Sequence, residues 1–548
     1  LIFFMNKLTL SFYLVLIGIS GIAQPADTIP VALSIIDLAF DSVEVDSMTQ
    51  NIWEQRDMYR QIRNVPVPND IPLSLVFVPP VNDERLPEIQ EKIQWDIDRE
   101  VEMPADRSSL AFYPVHQLAW LIRNKKISSV ELTTIYIDRL KKYGDTLECV
   151  ITITDSLALE QARRADAELE KGLYRGPLHG IPYGAKDLLA VAGYRTTWGA
   201  MPFKDQVLDH NATVIDRLEE AGAVLVAKLT LGALAWGDVW YGGMTRNPWD
   251  LSKGSSGSSA GSASATVAGL VSFAIGSETW GSIVSPSTRC GATGLRPTFG
   301  RVSRHGAMAL SWSMDKLGPI CRNAVDCALV FDAIRGADGK DLAVRAFPFN
   351  YDGIKDVRDL RIGFLVDEFH SEGFNYQNDS AMLEMLKAHG IELIEKQLPE
   401  EIPVEAMSFM LTAEAGAAFD ELTRTNMDTL LVRQIRNAWP NVFRASRLIP
   451  AVEYIQANRL RYRLTEQFNN MMQDIDVLLA PSFSDQLLMT NLTGHPCVVL
   501  PDGSYANGNP GSITLIGNHF DEASILLFAR YIQEITTWEE ERPPLFIK

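Results

Sequence analysis

Residues 254–264 read GSSGSSAGSAS, and residues 266–287 read TVAGLVSFAIGSETWGSIVSPS. By composition the first run is a flexible Gly/Ser tether, which would divide the chain into two domains. Its neighbours argue for the opposite reading. NPWD at 247–250 gives a turn signal immediately before it, and ASATVAGLV at 263–271 reads as an Ala-rich helix whose small side chains permit close packing. Ser258 and Ser259 stand where N-caps of that helix belong. SFAIGSETWGS at 272–282 is a short apolar strand that breaks into a second loop of small residues. A helix start and a strand end that both present serines and bare backbone N–H groups make an oxyanion-binding arrangement. The run is therefore read as the wall of a site inside one continuous body.

Outward from that stretch, helical and strand patterns alternate, which predicts an α/β fold. SVELTTIYIDRLKKYG (129–144) and SLALEQARRADAELEKG (156–172) have apolar residues every three or four positions and end on glycine, with CVITIT (149–154) as a strand between them. HNATVIDRLEEAG (210–222) reads as a helix with Asn211 as N-cap, running into the strand AVLVAKL (223–229). Further αβ units follow at 326–336, 360–367, 380–390 and 391–398. Residues 404–474 read as largely helical, and strands return in IDVLLAPS (475–482), HPCVVLP (495–501) and GSITLIG (511–517). No repeat or linker interrupts the body, so one large domain over 105–548 is expected. Residues 24–104 carry proline clusters and weak periodicity, and are read as an irregular extension with a helix around 88–99.

A chain of 548 residues with 46% hydrophobic content buries a substantial core, and a net charge of −19 argues against nucleic acid or an anionic membrane as partner. The five cysteines (Cys149, Cys290, Cys321, Cys327, Cys497) show neither a disulfide framework nor zinc-ligand spacing. Cys321 and Cys327 are close enough in sequence to bridge in an oxidising compartment, although plain buried thiols are the expected state. Met5, Asn6 and Lys7 precede the apolar run LTLSFYLVLIGISGIA (8–23), with Gly21 and Ala23 before Gln24. That is the pattern of a signal peptide over 1–23, with residues 1–4 reflecting upstream translation. The run is short for a bilayer span and broken by Ser and Gly. A secreted or periplasmic protein with no membrane span is expected.

The stretch 254–308, GSSGSSAGSASATVAGLVSFAIGSETWGSIVSPSTRCGATGLRPTFGRVSRHGAM, resembles the signature of the amidase signature family of serine hydrolases. The resemblance continues upstream in GPLHGIPYGAKDLLAVAGYRTTWGA (176–200). Downstream it runs through DKLGPICRNAVDCALVFDAI (315–334), IDVLLAPS, NLTGHPCVVLPDG (491–503) and GSITLIG, so it covers about residue 109 to the C-terminus. It implies a mixed β-sheet core covered by helices on both faces, no cofactor and no metal. It also implies a Ser–Ser–Lys triad: Ser282 as nucleophile, Ser258 as the bridging serine that sits on a cis peptide bond in relatives, and Lys186 as base. A serine hydroxyl needs a base beside it, and a lysine serves as one only where burial lowers its pKa from about 10.4. Backbone N–H groups of Thr279, Trp280, Gly281 and Ser282 would hold the oxyanion. Ser259 and Trp280 are candidate substrate contacts.

The sequence also holds decoys. Residues 257–261 match G-x-S-x-G with Ser259 as nucleophile, but a turn rather than a strand precedes them, and His389, His495 and His519 lie in no telling context. Ser313 and Lys316 match S-x-x-K without the K-T-G that should follow. His179 and His495 sit beside turn-forming Gly or Pro and read as structural. The nucleophile loop departs from the common D-T-G-G-S-I-R pattern: here it is ETWGSIV (278–284), similar to the branch that includes bacterial peptide amidases. Trp280 is expected either to narrow the acyl pocket or to pack into the core. The function implied is an exported amidohydrolase that cleaves a small-molecule or peptide amide through an acyl-enzyme on Ser282. The rival readings are an esterase and a non-catalytic amide-binding protein on the same fold. Export argues against the tRNA-dependent amidotransferase members of the family.

Overall fold

The structure is a computed structural model that describes residues 25–80, 86–370, 375–505 and 507–547; the expected signal peptide lies outside them. Eleven strands form one mixed sheet. In chain order they are β1 (Val150–Ile153), β2 (Pro182–Lys186), β3 (Val224–Leu229), β4 (Phe273–Glu278), β5 (Thr293–Arg296) and β6 (Lys316–Cys321), then β7 (Ile362–Leu365), β8 (Leu393–Lys396), β9 (Val477–Pro481), β10 (Cys497–Ser504) and β11 (Pro510–Gly517). They lie side by side as β1-β3-β2-β4-β6-β5-β10-β11-β9-β7-β8. Strands β3, β2 and β4 run parallel, as do β9, β7 and β8, while the pairings through β6, β5, β10 and β11 are antiparallel.

Both faces of this sheet are buried, and the pleat shows it directly. Successive residues of a strand point to opposite faces. Phe273 and Ile275 of β4 join one apolar cluster, whereas Ala274 between them joins another. Val477 and Leu479 of β9 likewise part from Leu478 and Ala480, as do Val498 and Leu500 of β10 from Val499. This is why the strands read as continuous apolar runs rather than as alternating ones. The expected α/β class and helix-covered mixed sheet are both present.

The chain forms two compact units, one up to Pro68 and one from Asn69 onward. The first contains two helices, α1 (Pro25–Ile35) and α2 (Ser42–Arg63), with a small core of Ile29, Leu33 and Val45. The 22-residue α2 is a correction to the irregular reading of this region. Its signal is local: Asp41 accepts from Val43 and Glu44 N–H, and the Glu44 carboxylate accepts from Asp41 N–H in a capping box. In the second unit the helix expected around 88–99 is absent. That segment is an extended strap with Gln94 bridged to Asp352, the Gln90 amide donating to Phe349 O at 2.9 Å, and Trp95 against Tyr351. Pairing with a neighbouring stretch of chain satisfies its backbone where a helix would have satisfied it internally.

Other boundaries also moved. The helix that begins at Ser129 passes Gly144 and stops at Leu147, where Glu148 takes the left-handed cap at φ +48. The helix after residue 210 starts at Thr213 with Ala212 in the cap position; the Asn211 amide instead bonds Ala192 N–H and Asp216. All five cysteines are buried free thiols, so Cys321 and Cys327 are not bridged. Among the described residues no helix is long and apolar enough to cross a membrane.

Candidate active site

Lys186 ends β2, one of three parallel strands in the middle of the first half of the sheet, and its side chain is fully buried. Its Nζ lies 2.9 Å from Ser258 Oγ, 3.0 Å from Ser259 Oγ, 2.8 Å from Ser277 Oγ and 3.3 Å from Ser277 O. Burial pushes this amine well below the ordinary lysine range, while the charges of Asp315 and Glu278 act in the opposite sense. The neighbouring Asp187 anchors the strand end: it takes the Thr197 N–H and hydroxyl and lies 2.8 Å from the equally buried Lys228 Nζ.

The Gly/Ser run wraps Lys186 from the other side. The Gly257–Ser258 peptide bond is cis. A Cβ on Gly257 would sit 2.0 Å from Gly237 O, so only glycine fits there. Helix α3 (Ala260–Val267) begins after Ser259 with no side-chain capping bond, which corrects the N-cap role expected of Ser258 and Ser259. The hydroxyl of Ser259 is fully engaged elsewhere. It donates to Ser277 O at 3.0 Å and accepts from Lys186 and from Ser277 N–H at 3.1 Å. One hydroxyl offers one proton and two lone pairs, so none remains for a ligand. The hydroxyl of Ser259, expected from sequence as a substrate contact, is thus spent on Lys186 and Ser277.

Ser282 lies on the loop that leaves β4, 8% exposed, and its carbonyl accepts the Ser259 N–H at 3.1 Å. That bond ties the loop to the Gly/Ser run, while Ser282 Oγ has no hydrogen-bond partner among the described residues. Glu278 shapes the loop. Its Oε2 accepts from Ile283 and Val284 N–H, and its Oε1 accepts from Arg296 at 2.8 Å and from the Asn491 amide at 2.9 Å. The carboxylate thus closes residues 279–282 into a turn, with Gly281 at φ +79. The backbone N–H groups of residues 280–282 have no acceptor among the described residues. Thr279 Oγ1 donates to Asp315 at 2.6 Å. Trp280 is 40% exposed, which rules out the core-packed alternative. A cavity of about 100 Å³ opens beside Ser277 and Thr279.

The decoys are occupied structurally. Ser313 bonds Glu414 and Arg461, while Lys316 donates to Met314 O, so the S-x-x-K pair does not meet. His179 bonds Ala165 O, and His495 bonds Thr493 and Asn469. Among the described residues no group of three His, Cys, Asp or Glu side chains could hold a metal ion. Sequence reasoning missed Ser277 and the Asp187–Lys228 pair. A hydroxyl beside Glu278 was visible, but nothing marked it as a partner of residue 186.

The profile of the Amidase family matches residues 131–526. A glutamyl-tRNA(Gln) amidotransferase subunit from Coxiella burnetii (strain RSA 493 / Nine Mile phase I) is 32% identical over 473 residues, covering 77% of this chain and 97% of that protein. Among solved structures, the native peptide amidase from Stenotrophomonas maltophilia superposes with a TM-score of 0.71 at 28% identity, covering 80% of this chain and 99% of that one. An amidase family protein from Bacillus anthracis str. Ames gives 0.70 at 25% identity, covering 79% and 92%.

Proposed function

This chain belongs to the Amidase family, and on that premise we propose that it hydrolyses a carboxamide C–N bond through an acyl-enzyme on Ser282. The observation that carries this reading is the fully buried Lys186 amine, bonded only to serine hydroxyls and a carbonyl. With the Ser259 proton committed to Ser277 O, a neutral Lys186 donates one N–H to Ser259 and the other to Ser277. Its lone pair then faces the hydroxyl of Ser258. Lys186 takes the Ser258 proton as Ser258 takes that of Ser282, whose Oγ bonds to the substrate carbonyl carbon. The free N–H groups of 280–282 suit the oxyanion. Collapse breaks the C–N bond, the proton returns to the leaving amine, and water releases the acid by the same relay. The exposed Trp280 is available to the bound substrate.

The signal-peptide pattern supports export of this enzyme. A second reading, as one component of an amidotransferase, draws on the 32% identity to the Coxiella protein. The net charge of −19 weighs against a tRNA partner. A fluorophosphonate probe followed by mass spectrometry tests the proposal: the adduct should fall on Ser282 alone, and the first residue of the mature chain should be Gln24. An adduct on Ser259 would replace the triad with the elbow motif.

A further inference from the structure

The cavity beside Ser277 and Thr279 has a wall from outside the family match. Apolar side chains, among them Leu188, Met308, Leu310 and Leu317, give most of its surface, and the charged Asp70, Arg304, Lys340 and Asp341 also line it. Asn69, Asp70 and Pro72 also line it, although they precede the matched residues 131–526. Asn69 is pinned there as a strand would be. Its Nδ2 donates to Ala309 O at 2.8 Å, and its Oδ1 accepts the Ala309 N–H at 2.8 Å. The same Nδ2 reaches Ala418 O at 3.4 Å. The next N–H, that of Leu310, donates to Asp315 Oδ2, while Asp315 Oδ1 holds the Thr279 hydroxyl. A bonded path therefore runs from Asn69 through the 309–310 peptide and Asp315 to the loop that carries Ser282.

We propose that residues 69–72 form the size-limiting wall of the acyl pocket, and that the enzyme prefers amides with a compact apolar acyl group. This rests on Ser282 being the nucleophile. An apolar cavity of about 150 Å³ admits the six carbons of benzene, so one of about 100 Å³ takes an acyl chain of about four carbons and is too small for a phenyl group. Asn69 sets the limit because its amide pairs both polar groups of Ala309; without it that peptide is left unpaired and the wall retreats.

The test uses the full chain and straight-chain primary amides from acetamide to decanamide. Turnover is measured on the parent, Asn69→Ala and Pro72→Gly, and binding by calorimetry with each change placed in Ser282→Ala. Parent turnover and binding should fall steeply beyond the limit. Asn69→Ala should move that limit to longer chains and raise the long-to-short ratio of kcat/KM by about 10-fold or more. An unmoved limit in a folded Asn69→Ala protein overturns the proposal. If that variant does not fold, Pro72→Gly decides, since Pro72 lines the cavity without holding Ala309. If no amide is turned over but the binding limit moves, the hydrolase reading fails and the wall stands.

Discussion

Lys186 depends on being the wrong kind of lysine for its surroundings. In water its amine would be protonated up to about pH 10.4, and it would hold Ser258 as a donor only. Burial reverses this, pushing the amine well below that range against the pull of Asp315 and Glu278. As pH rises through the lowered pKa the neutral fraction grows, so amide turnover should rise and reach its plateau well below the pH at which a free lysine titrates. Lys186→Ala should cut amide turnover by about 10²–10⁴-fold and ester turnover less, because an alkoxide leaves without a full proton. Equal amide rates in parent and variant would sink the assignment. Ser277→Ala tests the holder: it removes a hydroxyl 2.8 Å from the amine that also supports the charged form. The acidic limb should therefore move to lower pH, with a loss of about 10-fold in kcat. A structural role alone would leave that limb in place.

At the scale of elements, the site is a loop held between the end of β4 and the helix that begins at Val284. Glu278 holds it closed. Burial alone would raise its carboxyl, but the Arg296 charge and the Val284 N–H bring it down to about 2. The folded value lies below the unfolded one, so Glu278 contributes stability that is complete above about pH 4.5 and lost as pH falls toward 2. Glu278→Gln leaves Arg296 as a buried charge without its anion, a change that costs about 3–5 kcal/mol. The midpoint of thermal unfolding should drop at neutral pH, turnover should fall as the turn opens, and the difference from the parent should narrow below about pH 4. A constant gap across that range would mean that the carboxylate is not the group being lost.

At the scale of the molecule, the two units differ in what they supply. The first has its own small core of Ile29, Leu33 and Val45, and none of its described residues lines the cavity. The second carries the sheet, the lysine pocket and residues 69–72. A chain beginning at Asn69 should keep the unfolding midpoint and amide turnover of the parent, whereas one beginning at residue 73 should lose the limit on acyl length. Differential scanning calorimetry and the amide series check both. Loss of turnover on removing residues before Asn69 would give the first unit a part in catalysis.

The fold class was legible because it rests on periodicity, which is local: apolar runs at 223–229, 477–481 and 497–501 are strands buried on both faces whatever their partners. The residues gathered at the lysine were legible only through a resemblance that extends over most of the chain. Lys186 and Ser258 meet across 72 positions, and no periodicity encodes such a meeting. The tertiary structure alone decided the rest. Ser259 reads as a helix cap because serine beside an Ala-rich run usually is one, yet its hydroxyl turns inward once a buried amine and the Ser277 peptide offer three bonds. Residues 88–99 have the composition of a helix, but a neighbouring segment pairs their backbone first. Residues 69–72 carry no motif at all; they line the cavity because Asn69 matches one peptide, that of Ala309, 240 residues further along the chain. Local propensity is written in neighbouring residues, whereas the partner of a polar group is settled by whichever distant group the fold brings within bonding distance.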